Sequence, residues 1–180
     1  MIAALLIDFP HHFLVAGLIF GAASITDFFD GKIAREKNLI TDFGKFADPL
    51  ADKIMVISCL VSFVAMKLCD PVLLIIVLFR EFSVTSIRLV AASTGKVIAA
   101  NMWGKVKTVS QIIAIVAVFV FQYFLELCKL QILPIPKEIA DSLALYLGIA
   151  GQVLLWVSTV FAIISGIIYI KDNKNCIKDR

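Results

Sequence analysis

Long apolar runs separated by short polar segments organise this chain. Five runs reach or exceed the length of about 20 residues that a helix needs to cross the hydrocarbon core of a bilayer. They cover residues 13–35, 46–68, 71–92, 106–127 and 143–170. The pattern predicts an all-α polytopic membrane bundle of about five transmembrane helices, forming one domain over residues 1–180.

Two Asp-Pro pairs predict where helices begin. An aspartate is a favourable N-cap, and a proline fits the first helical position because the N–H it lacks has no partner there. Asp70 and Pro71 therefore predict the start of one helix, and Asp48 and Pro49 allow the same interpretation for another.

Composition excludes several classes of protein. Hydrophobic residues make up 61% of the chain and charged residues 17%, and the mean hydropathy is +0.96. A disordered chain would be far more polar, and typical soluble domains have about 25% charged residues. The net charge of +3 without a polar basic patch indicates no nucleic-acid partner. The four cysteines lack ligand spacing, so we expect neither a disulfide nor a zinc site.

The distribution of basic residues predicts the orientation. Eleven lysines and arginines fall in segments 32–45, 96–107 and 171–180, whereas three fall in the segments on the opposite side. Cytoplasmic loops carry the excess of basic residues, so the first set is expected to face the cytoplasm across the cell membrane. Residues 1–10 then lie outside and lack the basic region of a signal peptide. We expect that a preceding span is missing.

Four aspartates lie near the predicted cytoplasmic ends of the first two spans. Asp27 and Asp30 are three residues apart, and Asp48 and Asp52 are four apart, so each pair shares one face of a helix. Antiparallel packing of the two helices would bring the pairs together, and their mutual repulsion favours a divalent cation. Hard oxygen ligands suit Mg²⁺ or Mn²⁺. A single aspartate would more simply be a helix cap, but paired spacing on two helices is harder to explain that way.

The residues between the acidic pairs suit a phosphate-bearing ligand. Gly31, Ala34 and Gly44 leave room for a bulky group near the backbone. Arg35 offers a guanidinium whose planar donors match phosphate oxygens.

The complete spacing D-x2-D-G-x2-A-R-x8-G-x3-D-x3-D resembles the signature of the CDP-alcohol phosphotransferases, with every fixed position filled. The resemblance implies a six-span membrane enzyme, commonly dimeric, in which an acceptor hydroxyl attacks the β-phosphorus of a CDP-linked donor and CMP leaves. It implies two metal ions held by the four aspartates, with Asp52 also serving as the catalytic base. It also implies that the cytidine diphosphate is bound by Gly31, Ala34, Arg35 and Gly44.

The third span contains charges that are expensive inside a membrane. Arg80, Glu81 and Arg88 interrupt an otherwise apolar run, and an arginine there costs about 2.5–3.5 kcal/mol or more. Eight residues separate the two arginines, so both can enter one cleft between helices. Glu81 could simply neutralise one arginine, which leaves the other cation and Lys105 available for an acceptor that carries a phosphate.

This stretch is similar to the family branch that uses CDP-diacylglycerol and sn-glycerol 3-phosphate to make phosphatidylglycerophosphate. By that resemblance Arg80, Arg88 and Lys105 would bind the acceptor phosphate. Two alternatives stay open. A phosphatidylinositol-phosphate synthase of the same family would also need phosphate-binding cations, and a cation channel or transporter would also place aspartates within the membrane.

Overall fold

The computed structural model describes residues 1–7, 9–36, 42–93 and 102–173, with side chains described for 1–7, 9–26, 53–91 and 102–173. The described part is helical and contains no strand. In chain order its helices are α1 (Ile2–Leu6), α2 (His12–Glu36), α3 (Asp42–Ala65), α4 (Pro71–Ser93), α5 (Met102–Lys129) and α6 (Lys137–Asp172). Each of the five predicted spans corresponds to one of the helices α2 to α6, which confirms the predicted fold class.

One of the two predicted helix starts is correct. The Asp70 carboxylate accepts a hydrogen bond from the backbone N–H of Val72 at 2.8 Å, and α4 begins at Pro71. Asp48 and Pro49 do not begin a helix, because α3 already starts at Asp42. The proline therefore lies inside a membrane helix, where its lost backbone hydrogen bond is tolerated because neighbouring groups can satisfy the freed carbonyl.

Helices α5 and α6 share the most extensive interface. Further contacts join α4 to α6, α2 to α5, and α3 to α4. Three phenylalanines connect α2, α3 and α5 at the centre. The Phe119 ring centroid lies 5.9 Å from that of Phe20 and 5.2 Å from that of Phe63. Cys59 is fully buried in the same core, as expected of a small apolar side chain.

Small residues allow the helices to approach closely. A Cβ atom on Gly17 of α2 would lie 3.3 Å from the Cβ of Phe119, and one on Gly151 of α6 would lie 3.3 Å from Val118. Close approach at glycine is typical of helix packing in membranes, where van der Waals contact replaces the hydrophobic effect as the driving force.

The exterior of the bundle is apolar, and some of its charged residues are buried. Large apolar side chains point outward on α4, with Phe79 74% and Phe82 67% exposed, whereas the charged side chains of Glu81 and Lys107 are buried. Within the described residues, α5 and α6 are long and apolar enough to cross a bilayer, and shorter apolar helical stretches cover His12–Thr26 and Lys53–Ala65. Apolar side chains on the exterior are favourable in lipid, where charged side chains are placed inside the bundle and paired, and the protein is a membrane protein.

Candidate active site

The four aspartates lie on two helices. Asp27 and Asp30 lie in α2, and Asp48 and Asp52 lie in α3. Their helical spacing puts each pair on one face of its helix, and α2 contacts α3. The carboxylates themselves lie outside the described side chains, so the predicted metal site stays a prediction.

The predicted nucleotide-binding residues occupy the same two helices. Gly31, Ala34 and Arg35 follow the first aspartate pair in α2, and Gly44 precedes the second pair in α3. Their side-chain environment likewise lies outside the described part of the chain, so their assignment to the cytidine diphosphate stays a prediction.

A contact between α3 and α4 sets their relative register. Lys53, which directly follows Asp52, donates a hydrogen bond to the hydroxyl of Thr85. Thr85 in turn donates to the backbone carbonyl of Glu81 at 2.7 Å. The segment of α3 that contains Asp52 is therefore level with the charged segment of α4.

A group of buried polar side chains joins α4, α5 and α6, and we call Arg80, Glu81, Lys107 and Ser165 the cationic cluster. Glu81 is 7% exposed and Lys107 is 6% exposed. One oxygen of Glu81, Oε1, accepts hydrogen bonds from Arg80 Nη1 at 2.8 Å and from Lys107 Nζ at 2.6 Å. Arg80 Nη2 donates to the Ser165 hydroxyl at 2.7 Å.

Two cationic side chains of the cationic cluster meet at one carboxylate. Glu81 neutralises an arginine, which is the simpler interpretation that its position next to Arg80 allowed, and Lys107 brings a second cation to the same carboxylate. Because a low-dielectric interior strengthens electrostatic interactions, cationic side chains concentrated at this level of the bundle suit an anionic ligand.

Arg88 lies two turns further along α4 and also contacts α6. Its guanidinium carbon is 5.9 Å from the centre of the Tyr169 ring, within the range of a cation–π interaction. Both arginines of α4 therefore face α6. Lys105, in contrast, is exposed and forms no ion pair with any residue that the structure describes.

Sequence reasoning did not assign four residues of this region to the site, namely Lys107, Ser165, Gly166 and Tyr169. Gly166 allows the Arg80 side chain to lie close to α6, because a Cβ atom there would lie 3.0 Å from Arg80 Cγ. A weak signal did exist in α6, where small residues recur with helical spacing at Ser158, Thr159, Ala162, Ser165 and Gly166.

The fold and the site together define a polytopic helical membrane protein with an internal cationic site beside two aspartate-bearing helices. The family model for CDP-alcohol phosphatidyltransferase matches residues 1–164. The chain belongs to this family and is an enzyme of that class, which confirms the resemblance seen in its motif.

Three similar proteins share one name. The CDP-diacylglycerol--glycerol-3-phosphate 3-phosphatidyltransferase of Bacillus subtilis is 38% identical over 169 residues, covering 94% of this chain and 78% of the relative. Proteins of the same name are 33% identical in Rickettsia bellii, over 92% of this chain and 82% of the relative, and 34% identical in Rickettsia felis, over 87% of this chain and 77% of the relative.

Proposed function

We propose that this protein transfers the phosphatidyl group from CDP-diacylglycerol to sn-glycerol 3-phosphate, giving phosphatidylglycerophosphate and CMP in phospholipid biosynthesis. The observation that carries the proposal is the cationic cluster, in which Arg80 and Lys107 share the single carboxylate of Glu81. Buried cationic side chains concentrated in one place suit an acceptor that brings its own phosphate. The names of the three relatives support the same pair of substrates.

In the proposed reaction the primary hydroxyl of sn-glycerol 3-phosphate attacks the β-phosphorus of CDP-diacylglycerol. The bond between that phosphorus and the oxygen bridging to the α-phosphorus breaks, and CMP leaves with the bridging oxygen. Asp52 accepts the proton of the attacking hydroxyl. Arg80 and Arg88 hold the acceptor phosphate, while Gly31, Ala34, Arg35 and Gly44 surround the cytidine diphosphate.

The donor set suits two Mg²⁺ or Mn²⁺ ions. Four carboxylates on two contacting helices, with spacings of three and four residues, provide the hard oxygen ligands that these ions prefer. Asp27, Asp30, Asp48 and Asp52 would hold them. When bound, such ions neutralise the charge on the transferring phosphoryl group.

The proposal includes a location and an assembly. The protein is expected in the cell membrane, with the site open to the cytoplasm, because basic residues concentrate in the segments on that side. CDP-diacylglycerol would enter from the bilayer, and glycerol 3-phosphate from water. We further propose a homodimer, following the resemblance to the family.

Family membership favours an enzyme over the cation channel or transporter that intramembrane aspartates also allowed. A phosphatidylinositol-phosphate synthase is the remaining alternative, because its acceptor also carries a phosphate. The acceptor that supports turnover distinguishes the proposed enzyme from a phosphatidylinositol-phosphate synthase.

The test is CMP release from CDP-diacylglycerol by the purified protein, with each acceptor offered alone. Glycerol 3-phosphate should support turnover, whereas serine, choline and unphosphorylated glycerol should not, because they bring no phosphate to the cationic cluster. Faster CMP release with inositol phosphate would favour the alternative enzyme. Faster release with serine or choline would contradict the proposed role of the cluster.

A further inference from the structure

One face of α6 contacts both arginines of α4. Ser165 binds Arg80, and Tyr169, one turn later on the same face, lies against Arg88. The residue with the higher number on α4 pairs with the residue with the higher number on α6, so the two helices run parallel. The C-terminal part of α6 therefore borders the region in which Arg80 and Arg88 lie.

Tyr169 is unusual for a tyrosine within a membrane helix. It is only 4% exposed, and its hydroxyl has no hydrogen-bond partner among the residues that the structure describes. A buried hydroxyl without a partner is rare, because burial removes its hydrogen bonds to water without replacing them. Such a group indicates a place where a polar ligand belongs.

The neighbouring charges indicate what kind of ligand this is. Arg88 contacts the face of the Tyr169 ring and forms no ion pair with a described carboxylate. Two turns earlier in α4, Arg80 also carries a buried Nε atom without a described partner. Two cations and a free hydroxyl on adjacent helices suit a small anion with several acceptor oxygens, such as a phosphate monoester.

We propose that Tyr169 is a binding residue for the phosphorylated acceptor, with its hydroxyl donating a hydrogen bond to the acceptor phosphate and its ring positioning Arg88. This inference rests on the proposed function and extends the acceptor site to α6. Neither role was visible in the sequence, where Tyr169 lies in an apolar run.

The test is Tyr169→Phe, which keeps the ring beside Arg88 and removes only the hydroxyl. The KM for glycerol 3-phosphate should rise about tenfold, as expected for a lost hydrogen bond to a charged group, while the KM for CDP-diacylglycerol stays within about twofold. Thermal stability should be unchanged or higher, because the variant removes a buried hydroxyl that has no described partner. An unchanged acceptor KM would overturn the proposal.

Tyr146→Phe is the matched control, because Tyr146 lies near the other end of α6 and is 69% exposed. It should leave both KM values unchanged. Tyr169→Leu removes the aromatic ring as well as the hydroxyl, so its KM for glycerol 3-phosphate should exceed that of Tyr169→Phe. Equal values for the two variants would overturn the positioning of Arg88 by the ring.

A binding measurement separates this inference from the proposed function. Inorganic phosphate should raise the melting temperature of the wild type without any donor present, and it should raise that of Tyr169→Phe less. If the wild type uses a different phosphorylated acceptor, the proposed function fails, yet this loss of phosphate stabilisation would still support the role of Tyr169. Equal stabilisation of both proteins, or none of the wild type, would overturn it.

Discussion

Lys105 and Lys107 show how the position of a residue along a helix decides whether its side chain is buried or exposed. Two residues along a helix turn the side chain by about 200°, so the two lysines point to opposite faces. Lys107 is buried and bound to Glu81, whereas Lys105 is exposed. The sequence shows that basic residues open α5, but it does not show which of them faces inward. That choice depends on how α5 is rotated against α4, which is a tertiary property.

Lys107→Gln is expected to destabilise the protein by about 2 kcal/mol, because it removes a charged hydrogen-bond donor from a buried carboxylate. Lys105→Gln should change stability by less than about 0.5 kcal/mol, as is usual for exposed positions. Thermal unfolding of both variants in the same detergent measures the difference. Adding Glu81→Gln should recover part of the loss in Lys107→Gln, and no recovery would argue against the pair as the cause.

At the scale of helices, the N-terminus of α2 depends on a distant residue. Glu126 of α5 is 8% exposed, and its carboxylate accepts hydrogen bonds from the backbone N–H groups of His12 at 3.1 Å and Phe13 at 3.4 Å. It also contacts His12 Nδ1 at 3.0 Å. The first backbone N–H groups of a helix have no partner within the helix, so this carboxylate caps the helix that carries Asp27 and Asp30 at its other end.

Glu126→Gln should destabilise the protein by about 1–2 kcal/mol, because the variant weakens a charged cap and leaves buried N–H groups poorly satisfied. Glu138→Gln is the control, since Glu138 is an exposed acid in the first turn of α6. Chemical or thermal unfolding in detergent measures both. Equal stability of the two variants would show that Glu126 does not cap α2.

The helices were largely predictable from sequence, because a run of about 20 apolar residues has few alternatives. The start of α4 was predictable too, since Asp70 caps its own helix. The start of α3 and the cap of α2 were not. Pro49 lies in the interior of α3, where membrane helices tolerate proline, and Glu126 reaches α2 from more than one hundred residues away.

At the scale of the whole molecule, the site divides into a part that was predictable from sequence and a part that was not. Charged residues within apolar spans are recognisable as candidate site residues, because placing a charge in a membrane costs free energy. Arg80, Glu81 and Arg88 were predicted in this way. Ser165, Gly166 and Tyr169 carry no charge, and the helical spacing of small residues in α6 does not show that this face meets the arginines of α4. Only the packing of α6 beside α4 brings them to the arginines.

The central claim is that this bundle makes phosphatidylglycerophosphate with its aspartate-bearing helices. The most direct measurement is identification of the lipid formed when the purified protein is given CDP-diacylglycerol, glycerol 3-phosphate and Mg²⁺. Mass spectrometry should detect phosphatidylglycerophosphate in equal amount to released CMP. EDTA should abolish its formation, Mg²⁺ or Mn²⁺ should restore it, and Asp52→Asn should form almost none while remaining folded. The claim would be contradicted if the folded wild type formed no such lipid, or if Asp52→Asn or the exhaustively chelated wild type formed it at the normal rate.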